Sequence, residues 1–366
     1  MSPFRALLRL FGLLLAFAAP AASAASSFVS ERGTLPSGVT YLALKPTNWD
    51  RHRLLLYAPA QRAEAQSADA PLDYAQPLVR TLLSEGWLVA TAAYRRSGVV
   101  LKDSMEDLEQ LRAQLAATHG QPDRVYVLGE SLGAAIAVRM MENYPDDYAG
   151  ALAVGGAFDL QEPAPTIGVA FSPQRPLLLL PNRSESDAPN AYVKAAARAL
   201  VPPVLWHIAR DGRANTNAAE KLAALAALVS WAEDGTRPPQ NFDATAPPPM
   251  RDSVVEFSAD RTEAVGEVLG LDPLRGDLTL NFQPADLEQL GIARGTFFAA
   301  IVNRAGGART LRVLYGQNLR RAKPGDWMAL PEAEGWMLFA VFRGNAAAVS
   351  GLRAGDKVTL RRLRDQ

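Results

Sequence analysis

The sequence places one serine where it could do covalent chemistry. Ser131 lies in Gly129-Glu130-Ser131-Leu132-Gly133, after an apolar run of strand length at 125–128 and before strong helix formers at 134–141. G-x-S-x-G between a strand and a helix is the spacing of a nucleophile elbow. A serine on so sharp a turn takes a strained backbone, and the flanking glycines let helix and strand approach closely. Its hydroxyl would stand at a helix N-terminus, where free backbone N–H groups can stabilise developing negative charge. The chemistry implied is attack on an acyl carbon. The same spacing also fits an ordinary Gly-rich turn whose serine only caps the helix.

Composition narrows what could assist that serine. The 366 residues contain no cysteine and only three histidines, His52, His119 and His207. Disulfides, thiolate metal sites and a cysteine nucleophile are excluded, and a multi-histidine metal centre is not expected. Neither a metal nor a cofactor is expected. Lys and Arg total 38 against 38 Asp and Glu, with no block of like charge, which argues against nucleic acid as a partner. A small-molecule substrate or ligand is the expected partner. The sequence does not determine the oligomeric state.

The N-terminal segment 1–24 reads as an address. Arg5 and Arg9 form a basic start, the apolar run 10–19 is too short to span a bilayer, and Ala22-Ser23-Ala24 is an A-x-A cleavage site. This predicts a secretory signal peptide cut after Ala24 and export to the periplasm or beyond, with no membrane span in the mature chain.

The elements that must position Ser131 follow from hydrophobic runs. Strands are expected at 39–44, 53–58, 87–94, 125–128, 149–154, 176–180 and 204–209, with helices at 73–84, 103–117, 134–141, 188–200 and 217–231. Strands alternating with helices predict an α/β fold with a doubly wound, mostly parallel sheet. Residues 236–252 contain Pro238-Pro239 and Pro247-Pro248-Pro249 and read as a linker. Beyond it, strand-like runs at 278–280, 297–302, 311–315, 336–342 and 357–360 alternate with turns. They predict a second, smaller all-β domain. The expected division is signal peptide 1–24, α/β domain 35–235, linker 236–252 and β domain 253–366.

On three segments the α/β part resembles the α/β hydrolases of the secreted esterase or peptidase-like kind. These are Trp87-Leu-Val-Ala-Thr-Ala-Ala-Tyr94-Arg-Arg-Ser-Gly, Gly129-Glu-Ser-Leu-Gly133, and the stretch from Ala218-Ala-Glu220 through Trp231-Ala-Glu-Asp-Gly235. The resemblance implies a serine hydrolase of ester or related acyl substrates. Only 158–175 lies where such proteins carry a cap, so a small cap and an open site are expected.

The resemblance also implies where the helpers of Ser131 should be. Matching Asn182 and Pro189 to the family's pattern puts the acid at Glu185, with Asp187 as the alternative. The base should be a histidine after the last strand, but that position holds Arg213, in Arg210-Asp-Gly-Arg213-Ala-Asn-Thr-Asn217. Arginine does not release its proton, since its pKa exceeds about 12. The alternative base is His207, inside a strand run and six residues short. His119 and His52 belong to the opposite end of the sheet. One oxyanion donor should be the N–H of Leu132. The other should come from Tyr57-Ala58-Pro59-Ala60-Gln61, where Pro59 has no N–H and the donor falls to Ala60 or Gln61.

The β part resembles the C-terminal barrel of the S-adenosylmethionine hydroxide adenosyltransferases. The matching pieces are Gly276-Asp-Leu-Thr-Leu-Asn281, Pro324-Gly325-Asp326, Gly335-Trp336, Arg343-Gly-Asn-Ala-Ala347 and Gly355-Asp-Lys-Val358. The resemblance implies ligand contacts near Asn281 and Arg343. That family's catalytic half is missing, so adenosyl chemistry is not expected.

Two functions remain open: a serine hydrolase with a degenerate triad, and a non-catalytic protein in which Ser131, Arg213 and the helix N-terminus hold a small anion. A purely structural scaffold is a third option. The signal-peptide reading predicts a mature N-terminus at Ala25. Terminal sequencing of exported protein checks it, and retention of residues 1–24 would refute it.

Overall fold

The computed structural model describes residues 27–60, 70, 72–96, 98–156, 168–272, 276–304, 307–316 and 322–363. The signal-peptide segment and the first part of the expected cap lie outside the described residues.

Nine strands form the first sheet. They are β1 (Phe28–Thr34), β2 (Thr40–Pro46), β3 (Arg53–Ala58), β4 (Leu88–Ala92), β5 (Arg124–Glu130), β6 (Gly150–Val154), β7 (Leu177–Leu180), β8 (Val204–His207) and β9 (Phe242–Asp243). The order is β1-β2-β4-β3-β5-β6-β7-β8-β9. The β1–β2 and β2–β4 pairings are antiparallel and the rest are parallel. Strands β4, β6 and β7 are buried along their whole length, which is why they read as continuous apolar runs rather than alternating ones. Around them pack α1 (Pro77–Ser84), α2 (Leu101–His119), α3 (Leu132–Asn143), α4 (Asp187–Ala195) and α5 (Ala218–Asp234). Helix α1 packs with α5, and α2 with α3, as a doubly wound sheet requires.

The second sheet closes on itself. It holds β10 (Glu256–Phe257), β11 (Glu263–Leu271), β12 (Leu278–Leu280), β13 (Phe297–Arg304), β14 (Gly307–Tyr315), β15 (Trp327–Pro331), β16 (Met337–Val341) and β17 (Lys357–Arg362), with short helices α6 (Pro284–Gln289) and α7 (Ala346–Ser350). The ring β11-β12-β16-β15-β14-β13-β17 is completed by pairing of β17 with β11, and β10 extends β11. Each sheet has its own apolar core. Leu54, Leu82, Tyr126 and Leu178 belong to the first, and Phe282, Phe298, Tyr315 and Phe339 to the second.

The structure departs from the sequence reading at strands β1, β9, β11 and β15. The first sheet begins at Phe28 and takes in Phe242–Asp243, so it overruns the expected 35–235 at both ends. Strand β1 was not expected because it is a polar edge strand, half-buried at alternate positions at most. Strands β11 and β15 were also unexpected. The first is interrupted by Gly266 and Gly270, and the second ends on Pro331.

The expected linker is bonded along much of its length. Asn241 N–H donates to Leu205, Ala244 N–H to His207 and Ala246 N–H to Glu220. Pro247 carbonyl accepts from Asn217, and the Arg251 guanidinium donates to Glu334 carbonyl and lies over Trp336.

Glu220 anchors this region. It is fully buried at the start of α5, where Asn217 and Glu220 form a reciprocal capping box. Both carboxylate oxygens also lie 2.7 Å from Arg210 Nη2. Glu220→Ala should destabilise the α/β domain by about 3 kcal/mol or more, since it removes the counter-ion of the largely buried Arg210 guanidinium, which keeps only the Asn215 carbonyl, and leaves the N–H groups of Asn217 and Ala246 without their carboxylate. A fall in the first thermal transition checks this, and an unmoved transition would contradict it.

Candidate active site

Ser131 caps α3 at φ 56° and ψ −109°, a conformation that costs a β-carbon-bearing residue about 1–3 kcal/mol. The surroundings impose it. The Ser131 N–H is tied to Val154 carbonyl at 2.9 Å, across to β6. A β-carbon on Gly129 would collide with Gly133 carbonyl, and one on Gly133 would collide with Ala58 carbonyl. The elbow therefore needs both glycines, and β3 lies directly against the first turn of α3. Leu132 is the first helical residue, so its N–H has no partner within the helix. Ala60 is exposed at the end of the same β3 segment, and Gln61 lies outside the described residues.

Glu185 ends a single turn of 3₁₀ helix after β7. Its Oε1 accepts the Ala214 N–H at 2.7 Å. Burial pushes its carboxyl above the usual range, opposed by backbone N–H groups, Ala214 foremost, and by the charge of Arg213. Gly155, at φ 105°, marks the point where these groups meet. A β-carbon built there would lie 3.5 Å from each of Ser131 N, Glu185 Oε1 and Ala214 Cβ. Those three atoms therefore surround a single point. The structure thus brings Ser131, Glu185 and the loop carrying Arg213 together at the C-terminal ends of the parallel strands, where open α/β sheets bind ligands.

That loop is held from two sides. Buried Asn182 donates to the Arg210 and Asn215 carbonyls, both at 3.0 Å, and accepts Asn215 N–H at 2.6 Å. The Ser184 hydroxyl donates to Gly212 carbonyl and accepts Gly212 N–H. From the barrel side, Ala333 N–H donates to Asn215 Oδ1 at 2.7 Å, and Asn215 Nδ2 donates to Pro331 carbonyl at 3.2 Å. Sequence reasoning missed Asn215, Gly155 and Ser184, because their roles are contacts between distant segments. Arg213 itself is exposed, and its guanidinium forms no ion pair among the described residues.

The other expected residues lie elsewhere. Asp187 is exposed in the first turn of α4, while Glu185 takes the contact with the Arg213 loop. His207, the alternative base, ends β8 and pairs in register with Asp243 of β9, six residues before Arg213. The Thr245 hydroxyl and, to a lesser degree, His207 hold the Asp243 carboxyl below its usual range. His52 Nδ1 lies 3.4 Å from Asp123, and His119 Nε2 lies 2.8 Å from Glu31, both away from Ser131. Asn281 is buried in the barrel, where its Oδ1 accepts Glu267 N–H at 2.7 Å while its own backbone N–H donates back to Glu267 carbonyl.

Arg343 does line a cleft. This cleft, of about 990 Å³, runs between the domains from Arg213, Ala214 and Asn215 onto the outer wall of the barrel. Ser131 and Glu185 do not line it and sit beside its hydrolase end. On the barrel wall, Glu332 accepts a hydrogen bond from Thr279 at 3.2 Å. Burial, reinforced by Asp277, Glu334 and Asp272, pushes its carboxyl up to about 7.

The sheet order, the elbow and the carboxylate after β7 define the N-terminal part as an α/β-hydrolase-fold domain joined to a closed β-barrel. The family described as serine aminopeptidase, S33, matches residues 91–202, a span that holds Ser131 and Glu185 and ends before Arg213. No curated protein matches the chain. Among solved structures, the Pyrococcus furiosus esterase Pf2001 is 16% identical over 50% of this chain and 82% of its own, with a TM-score of 0.39. The acylaminoacyl peptidase of Pyrococcus horikoshii is 12% identical over 50% of this chain and 37% of its own, with a TM-score of 0.39. An uncharacterized conserved protein from Thermotoga maritima is 22% identical over 31% of this chain, with a TM-score of 0.26; the match spans 40% of that protein.

The raised Glu332 pKa has a definite sign. Protonation is favoured in the folded state, so the stability it contributes is present below about pH 4.5 and is lost as pH rises through about 7. Glu332→Gln should therefore raise the stability at pH 8 by on the order of 3 kcal/mol and have little effect at pH 4. Thermal unfolding across that range checks it; an equal effect at both pH values would contradict it.

Proposed function

We propose that the protein is an exported serine hydrolase of ester or related acyl substrates, working slowly through Ser131 with a degenerate triad. The observation that carries this reading is the strained Ser131 elbow, which converges at Gly155 with Glu185 Oε1 and with the loop whose base position is Arg213. The N-terminal residues 1–24 supply the argument for export. Among the described residues no helix is long and apolar enough to cross a membrane.

In this reading the substrate carbonyl carbon meets Ser131 Oγ, and the developing oxyanion is received by Leu132 N–H and a backbone N–H near Ala60. Oγ forms the acyl bond, the leaving alkoxide takes a proton from water, and a second water then releases the acid. Arg213 cannot take the serine proton, which passes to water. Its fixed charge favours the anionic form of Oγ and of the tetrahedral adduct. Glu185 holds the loop through Ala214 N–H rather than orienting an imidazole. Absence of a general base costs roughly 10²–10⁴-fold in rate.

A second reading is favoured by one observation, the exposed Arg213 guanidinium with no ion pair among the described residues. It is a non-catalytic site where Ser131, Arg213 and the start of α3 hold a small carboxylate.

Steady-state hydrolysis of p-nitrophenyl esters separates the two. Slow turnover should disappear in Ser131→Ala, persist in His207→Ala, and rise roughly 10–100-fold in Arg213→His. Brisk turnover abolished by His207→Ala would overturn the degenerate triad. No Ser131-dependent turnover, with saturable butyrate binding lost in Arg213→Ala, would favour the binding protein.

A further inference from the structure

Glu332 is left unexplained by both the fold and the serine chemistry. Its carboxylate is largely buried on the cleft wall, with Thr279 as its hydrogen-bond partner and no cation within ion-pairing distance among the described residues. A carboxylate taken out of water without a counter-ion is destabilising. Its neighbours deepen the cost, because Asp272, Asp277 and Glu334 add like charge. Glu334 is offset by Arg251 at 3.6 Å. The cleft also offers an apolar wall, including Leu338, Val341 and Phe342, and about 990 Å³ is room for a ligand the size of a short peptide.

The cleft has two unlike ends. At the hydrolase end stand Arg213 and Ala214, and Ala214 is one of the residues that converge with Ser131 at Gly155. Glu332 sits between Pro331 and Ala333, both hydrogen-bonded to Asn215, so the acidic wall begins within a few residues of the Arg213 loop. Arg343, exposed on the same cleft, adds positive charge next to Phe342.

We propose that the interdomain cleft is a binding site for one end of the substrate, and that Glu332, assisted by Asp277, recognises an ammonium or guanidinium group carried on an apolar stem. The orientation rests on the reading of Ser131 as the reacting group; the binding does not. Arg213 and Arg343 flank the acidic wall and repel a cation elsewhere along the cleft, so the charged end is directed to Glu332 and the acyl group to the serine. The stem lies along the apolar wall. The barrel is then part of the specificity machinery.

Equilibrium binding to the mature Ser131→Ala protein tests this without turnover. Three inert amide probes differ only at the far end: N-(5-aminopentyl)butyramide, N-pentylbutyramide and N-(4-carboxybutyl)butyramide. Isothermal titration should show the amine bound tighter than about 1 mM and at least about fivefold tighter than the neutral probe. Added Glu332→Gln should abolish that preference, and high salt should reduce it. Equal binding of amine and neutral probes, preference for the carboxylate, amine preference unchanged by Glu332→Gln, or no amine binding would each overturn the proposal. Should Glu332→Gln lose its folded circular dichroism, Asp277→Asn replaces it, with the same outcomes read as at least a halving of the preference. Ester hydrolysis is read separately, so failure of the catalytic reading leaves this result standing.

Discussion

One amide, that of Asn215, is bonded to both domains at once. Its backbone meets Asn182 of the α/β domain and its side chain meets Pro331 and Ala333 of the barrel. The Arg213 loop and the cleft beside it depend on that junction. Arg213 stands two residues before it and Ala214, the partner of Glu185, one before it. The capping box of α5 begins two residues after it. The loop has little apolar packing of its own and depends instead on complementary polar pairs, each modest and together directional. A loop so held can carry a charged side chain into a cleft without the helix or strand that would usually position it.

Strain at Ser131 depends on a different kind of constraint, close packing of backbone on backbone. Gly129 and Gly133 leave no room for side chains because β3, β5 and α3 converge there, and Gly155, at φ 105°, takes a backbone conformation that other residues rarely adopt. The serine conformation is over-determined by its neighbours. It therefore persists whether or not a histidine is present to use it, which is why an intact elbow does not by itself establish rapid catalysis.

The elements that were legible in the sequence are those whose residues declare themselves locally. The buried runs of β4 to β7 and the G-x-S-x-G turn could be read because burial on both faces and the steric needs of a sharp turn leave a local pattern. Arg213 was legible too, by its place after the last long strand. What escaped was set by distance along the chain. Strand β1 is polar because it is an edge, and β9 is two residues long and exists only because β8 offers it a partner. Asn281 was placed at a ligand contact by the resemblance of the barrel segments, and nothing local reveals that its Oδ1 is taken by the N–H of Glu267, fourteen residues earlier. The Glu332 environment combines Thr279 of β12, two acids of the β11–β12 connection and one of the β15–β16 turn, and no window of sequence contains them all.

The barrel is closed by its last strand. Strand β17 bridges β13 and β11, and until it arrives both of those strands present open edges. The segment that grips Asn215 lies between β15 and β16, inside the same ring. Ser131 and Glu185 can therefore be folded into their sheet long before the loop beside them is fixed. During synthesis the residues around 357–362 emerge after every other strand of the ring, and their pairing is a long-range, slow event. The protein acquires its complete cleft only at that moment, so a nascent or unfolded chain carries the elbow in a half-built and more solvent-exposed setting. The order in which the chain is made thus delays the cleft, and any selectivity it confers, until after the strained serine is in place.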